Sequence, residues 1–158
     1  MKRLKIYLDT SVISHLFADD TPDKQEDTIK LWDAFVLNKY DLFISSVTVE
    51  EIEQCTEPKR SKMIDKIKQI KFDLLTESDE INILANEYIK NGVLTQKSFD
   101  DCMHIAFAVV SNCDLIVSWN FKHLVNFNTI KKVKIVNSIN DYKEISIISP
   151  TMLIQGDE

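Results

Sequence analysis

Short, continuous apolar runs alternate along this chain with longer stretches in which apolar residues recur at helical spacing. The first run, Leu4-Lys5-Ile6-Tyr7-Leu8, is rich in strand formers and stops at Asp9-Thr10-Ser11. Residues 24–38 follow, with Thr28, Leu31, Trp32, Phe35 and Val36 on the period of a helix, so that Trp32 is a core or subunit-contact residue. Leu42-Phe43-Ile44 predicts a second strand, and Ser45-Ser46 opens a helix carrying Glu50 and Glu51. Pro58 suits the first turn of a helix, beyond which Met63, Ile64, Ile67 and Ile70 form one apolar stripe. Ile81, Leu84, Ala85, Tyr88 and Ile89 form another, closed by the stop signal Asn91-Gly92.

The next helix differs in kind. Capped by Ser98, it is apolar almost all round from Cys102 to Val110, with His104 its sole polar side chain there, and such a helix is buried. Leu115-Ile116-Val117 predicts a third strand that runs directly into Ser118-Trp119-Asn120. Lys131–Val136 reads as a fourth strand and Ile145–Ile148 as an edge strand. Apolar strands alternating with helices predict an α/β fold, in which a central, mostly parallel sheet is flanked by helices on both faces. The expected organisation is one domain over residues 1–150 and a short C-terminal tail, 151–158. In that tail Met152-Leu153-Ile154 either dock on a partner or pack back.

Composition narrows the class. A length of 158 residues suits one core, and 44% hydrophobic with 28% charged residues is the balance of an ordinary globular protein. Only 2 Gly and 3 Pro argue against an all-β sandwich, whose turns need those types. The net charge of −6 disfavours whole-molecule attraction to nucleic acid or anionic lipid and leaves room for a local basic patch. Cysteines 55, 102 and 113 lack CxxC spacing and read as reduced, half-buried thiols. With no signal-peptide pattern and no apolar run near the ~20 residues of a membrane span, the expected location is the cytoplasm, with no membrane partner.

In an open parallel sheet, functional side chains gather at the carboxyl ends of the strands. The first strand delivers Asp9, Thr10 and Ser11 there; the second leads to Glu50 and Glu51; the third delivers Ser118 and Asn120; and the buried helix brings Asp100 and Asp101 in its first turn. Singly, each has a commoner role: Asp9 or Asn120 as a helix N-cap, the aspartate pair at a positive helix end, the glutamates in solvent. Jointly, carboxylates from three separated elements repel one another unless something positive lies between them. A divalent metal answers that need, and an all-oxygen set suits Mg²⁺ or Mn²⁺, which act on phosphate esters.

Four stretches give these residues a family setting: Ile6–Ser11, Ile44–Ile52, Asp100–Ala106 and Leu115–Asn120. In order and spacing the chain resembles the PIN-domain ribonucleases, and among them the VapC-like toxins of prokaryotic toxin–antitoxin pairs. The resemblance implies a PIN-like α/β/α fold and hydrolysis of an RNA phosphodiester by a metal-dependent endoribonuclease using Mg²⁺ or Mn²⁺. By position, Asp9 resembles the family's first acidic ligand, Glu51 its helical glutamate and Asp101 its third acid, making these three both metal-binding and catalytic. Thr10 or Ser11 resembles the hydroxyl that orients Asp9 or the scissile phosphate, with Ser118 supporting and Asp100 a neighbour binding metal through water. The chain departs at Asn120, where many members carry Asp; an amide oxygen still ligates a hard cation but brings no charge. The resemblance further implies a homodimer held inactive by a small antitoxin protein.

Other residues have two readings each. His104 shares a helix face with Asp100 and Asp101 and is either a supporting group or general acid, or a buried histidine bonded to a carboxylate or backbone. His123 reaches substrate phosphate or lies on the surface, while His15 has no clear partner. Lys59, Lys62 and Lys66 share a stripe that is either an RNA-backbone rail or a solvated face. Trp119 sits beside the expected pocket, where it would stack on a base. Two rivals stand beside the nuclease: a non-catalytic RNA- or partner-binding module on the same fold, and a phosphohydrolase with an Asp9 phosphoenzyme. The latter wants a second acid where the chain has Ser11.

Overall fold

The computed structural model describes residues 2–156. Five strands, β1 (Lys5–Leu8), β2 (Asp41–Ser45), β3 (Asp73–Leu75), β4 (Leu115–Val117) and β5 (Ser146–Ile148), form one sheet in the order β3-β2-β1-β4-β5. Every pairing is parallel. The register sets Tyr7 opposite Phe43 and Ile116, and Ile116 opposite Ile147, so these four project to one face. Their strand neighbours Ile6, Leu8, Leu42, Ile44 and Val117 project to the other.

Each face has its own helical layer. On the Tyr7 side lie α5 (Asp79–Lys90), α6 (Phe99–Val110) and α7 (Phe127–Ile139). On the Leu8 side lie α1 (Thr10–Ser14), α2 (Pro22–Val36), α4 (Lys59–Ile67) and α8 (Pro150–Gly156). Helix α3 (Ser46–Glu53) bridges the two, giving Val47 to one core and Ile52 to the other. The eight consecutive residues Cys102–Val109 of α6 are buried, as its continuous apolar sequence demands.

Several expectations need correction. Lys131–Val136 is not a strand but lies within α7. Its Lys-Val-Lys-Ile sequence mimics a two-residue alternation, yet Thr129, Val133, Val136 and Asn137 are the buried set, at helical spacing. The helix starts at Asn126, whose side chain accepts from the Asn128 and Thr129 amides. Strand β3 escaped the pattern because its three residues are exposed or half-exposed on the sheet edge. Ser98 stands at the N-cap of α6 but makes no side-chain capping bond. For Met152-Leu153-Ile154, packing back is the alternative met: α8 packs on α2 and buries Leu153, leaving Met152 exposed. Trp32 is a core residue, and Cys102 and Cys113 are fully buried, with only Cys55 half-buried. Among the described residues no helix is long and apolar enough to cross a membrane.

Candidate active site

The chain runs β1, β2, β3 outward to one edge and then returns to lay β4 against the other side of β1. A crevice outside the strand ends is expected where the winding reverses, here between β1 and β4. Asp9 leaves β1 at that place and Ser118 leaves β4. Asp9 is buried and caps α1: its Oδ1 accepts from the Ser11 amide at 3.1 Å and from Ser11 Oγ at 2.6 Å. Its Oδ2 accepts from Ser118 Oγ at 2.5 Å. Both serines are held in turn, since Ser11 Oγ accepts from the Trp119 amide and Ser118 Oγ from the Asn120 amide, each at 2.9 Å. The N-cap role and a site role thus fall on the same carboxylate.

Glu51 comes from α3, where Ser45 caps the helix through the Thr48 amide. Its Oε1 accepts from Thr10 Oγ1 at 2.8 Å and meets His104 Nε2 at 2.6 Å. His104 is 2% exposed, and its Nδ1 lies 2.6 Å from Tyr7 Oη, which lies 2.8 Å from Ser45 Oγ. A buried relay therefore runs from Ser45 through Tyr7 and His104 to Glu51. Asp101, in the first turn of α6, is half-buried and joins His123 Nδ1 through Oδ2 at 2.9 Å.

The groups share one field. Burial raises the Asp9 pKa, the negative charge of Asp101 adds to this, and the His104 charge and the two serine bonds work against it. Burial likewise raises Asp101, with Glu51 adding to it and the His123 bond opposing. For Glu51 burial pushes upward, but the bond and charge of His104 and the Thr10 hydroxyl outweigh it and leave the pKa low. Burial opposes the charge on His104, yet the Glu51 bond and the carboxylates of Asp9, Glu51 and Asp101 raise its pKa. The three acids thus all favour the charged form of the one imidazole buried among them.

Asp9, Ser11 and Ser118 form one hydrogen-bonded group and Glu51, Thr10 and His104 another, and with Asp101 they make one network coupled by charge. The remaining expected residues fare differently. Asp100 is exposed on α6. The Asn120 amide oxygen accepts from the His123 amide at 2.9 Å and so fixes its own turn. His123 is engaged by Asp101 rather than free on the surface. Trp119 is 6% exposed with its indole N–H donated to Thr28 Oγ1 at 2.8 Å, which removes it as an open stacking surface. Lys59 is tied to Ser14 Oγ at 2.6 Å; Lys62 is exposed and Lys66 half-buried. His15, which had no clear partner in the sequence, bonds to the Ser11 carbonyl at 2.8 Å. Tyr7 looked like a plain strand residue; its signal was a phenol in a buried run, a group that must find a polar partner.

The carboxylates suit a hard cation by type. Among the described residues, Glu51 Oε2 and Asp101 Oδ1 accept no hydrogen bond and keep their lone pairs for one. No three His, Cys, Asp or Glu side chains among the described residues are drawn together as a metal cluster, and His104 and His123 each engage a carboxylate oxygen.

The profile of the PIN-domain family matches residues 5–122, most of the chain and all of the network. No curated protein matches. Among solved structures, VapBC2 from Rickettsia felis, bound to a DNA fragment from its promoter, is similar with a TM-score of 0.56 and 13% identity over 92% of this chain and 98% of that one. VapC20 of Mycobacterium tuberculosis, a sarcin–ricin-loop-cleaving toxin, is similar with a TM-score of 0.55 and 13% identity over 75% of this chain and 92% of that one. At such identity these likenesses speak for the fold, and the family match speaks for the rest: this chain belongs to the PIN-domain family.

Proposed function

We propose that the protein is a divalent-metal-dependent endoribonuclease that hydrolyses RNA phosphodiesters, and that it serves as the VapC-like toxin of a toxin–antitoxin pair. The observation that carries this reading is the convergence of Asp9, Glu51 and Asp101, from β1, α3 and α6, in one coupled field at the carboxyl ends of the sheet. The similar VapBC2 and VapC20 structures support the toxin assignment. A cytoplasmic location, a homodimer and a small antitoxin partner belong to the same proposal.

Asp9, Glu51 and Asp101 would hold Mg²⁺ or Mn²⁺. When bound there, such an ion would activate water and shield the charge that builds on the phosphate. Ser11 and Ser118 hold the Asp9 carboxylate in one orientation from both of its oxygens. Thr10 and His104 fix Glu51 through Oε1 and leave Oε2 without a hydrogen bond. The bond and charge of His104 lower the Glu51 pKa against its half-burial, favouring the carboxylate. Asn120 contributes by fixing the turn that carries His123 to Asp101.

The test is cleavage of RNA in Mg²⁺ or Mn²⁺ and in EDTA, with Asp9→Asn beside the wild type. Metal-dependent cutting that falls at least 100-fold in the variant supports the reading; equal rates overturn it. A non-catalytic binding module remains the second reading, favoured by the imidazoles that engage the acids and by the uncharged Asn120. RNA binding with no cutting in either metal would select it.

A further inference from the structure

One aromatic side chain on the loop that carries Ser118 and His123 is left largely open to solvent. Phe121, in the loop after β4, is 46% exposed, whereas Trp119 two residues earlier is buried. Exposed single hydrophobics are common and by themselves mean little. The surroundings of Phe121 are less ordinary. Its ring meets Trp119 edge to face with centroids 6.0 Å apart, and Lys24 Nζ lies 4.9 Å from its centroid. Lys24 also lies over Trp119 at 5.6 Å.

The loop that presents this ring is braced. The Phe121 amide donates to the Trp119 carbonyl, the His123 amide to Asn120 Oδ1, and the Leu124 amide to the Asn120 carbonyl. Trp119 is pinned to α2 through Thr28, whose hydroxyl donates to the Lys24 carbonyl at 2.6 Å. The same loop carries Ser118, bonded to Asp9, and His123, bonded to Asp101. Phe121 therefore stands on a rigid turn whose two sides hold two of the site's acids. Its neighbours in that quarter are cationic, Lys24 and the exposed Lys122, in a protein with a net charge of −6.

From this we infer that Phe121 is a stacking platform for an unpaired base of the RNA substrate next to the scissile phosphate, with Lys24 beside it as the phosphate contact. The inference rests on the ribonuclease reading and adds to it the residue that would receive a base free to leave its neighbours. Aromatic rings serve that purpose without sequence preference because every base presents a π-face. A flanking cation neutralises the backbone that the base brings with it. The role expected of Trp119 thus passes to the residue the fold leaves open. Phe121 is a substrate-positioning residue, whereas the acids perform the chemistry.

The test uses the full-length protein and a short single-stranded oligoribonucleotide carrying 2-aminopurine. Binding is followed by fluorescence quenching in EDTA, and cleavage is followed separately in Mn²⁺. Phe121→Ala should weaken binding roughly 5- to 100-fold, the range for loss of one stacked base. It should also abolish quenching and raise KM far more than it lowers kcat. Phe121→Trp should restore both, a rescue that a purely structural role would not produce. Wild-type quenching and KM in Phe121→Ala, with cleavage intact, would overturn the platform and leave the ribonuclease standing. Quenching that depends on Phe121 in a protein that cuts no RNA would keep the platform and remove the hydrolysis. Unchanged RNA binding with an altered sedimentation coefficient would give the ring to a protein contact and overturn the inference.

Discussion

Removing one oxygen atom from the buried relay should be costly. Tyr7 Oη is the only protein partner that His104 Nδ1 has among the described residues, at 2.6 Å, and it also meets Ser45 Oγ at 2.8 Å. Against burial, the Glu51 bond and the surrounding carboxylates raise the His104 pKa, and Nδ1 shares one hydrogen bond with the phenol oxygen. Tyr7→Phe keeps the ring and its packing but leaves that buried ring nitrogen without a hydrogen-bond partner. An unsatisfied buried polar group costs about 1–3 kcal/mol, and more where it is charged. At the usual urea dependence of roughly 1–3 kcal/mol per M, the midpoint of unfolding should fall by roughly 1 M with the slope unchanged. Urea titration at neutral pH in EDTA, followed by far-UV circular dichroism, measures this directly. A midpoint within about 0.2 M of wild type would refute the relay as drawn. A changed slope would instead show that the denatured or native state had altered in compactness.

Two further outcomes follow from charge and burial. Asp114 is held below the usual carboxylate range, first by its bond from Lys143 Nζ at 2.8 Å and next by the Lys5 amide at 2.9 Å. A depressed carboxylate stabilises fully above its unfolded pKa of about 3.9 and loses that contribution as pH falls through the folded value. The stability gap between wild type and Asp114→Asn should therefore be constant near neutrality and shrink in acid; a gap that widens on acidification would contradict the assignment. Burial pushes the Cys102 and Cys113 thiols up to about 12, whereas Cys55 is half-buried with its Sγ 3.4 Å from the Glu51 carbonyl. Iodoacetamide at pH 8 should add one label to the native protein, at Cys55, as read by peptide mass spectrometry. Rapid labelling of Cys102 would mean that α6 opens far more readily than its packing implies.

The sheet and much of the site were legible because burial on both faces writes continuous apolar runs, and β1, β2 and β4 carry them. Helix α6 announced itself the same way. What failed to show was structure without a burial signature, such as the exposed edge strand β3, or with a misleading one, such as α7, whose lysines alternate with β-branched residues over one stretch. In α7 the Asn126 cap was the better signal than the alternation. Spacing brought Asp9, Glu51 and Asp101 to one end of the sheet, but it could not assign the partner of each carboxylate. That depends on which side chains the third dimension places within 3 Å, and the Tyr7–His104–Glu51 relay joins residues up to 97 apart in sequence. Trp119 and Phe121 make the same point: two aromatics two residues apart in one loop, of which only Trp119 is buried and bonded to α2 through Thr28.

The central claim is that the three acids form a working metal site despite the imidazoles that engage them. Calorimetric titration of Mn²⁺ into the wild type and into Asp101→Asn, with RNA cleavage followed in the same buffers, tests it most directly. The account predicts saturable binding and cleavage in the wild type and loss of both in the variant. Cleavage that survives in Asp101→Asn, or a wild type that binds no Mn²⁺ at millimolar concentration, would contradict it.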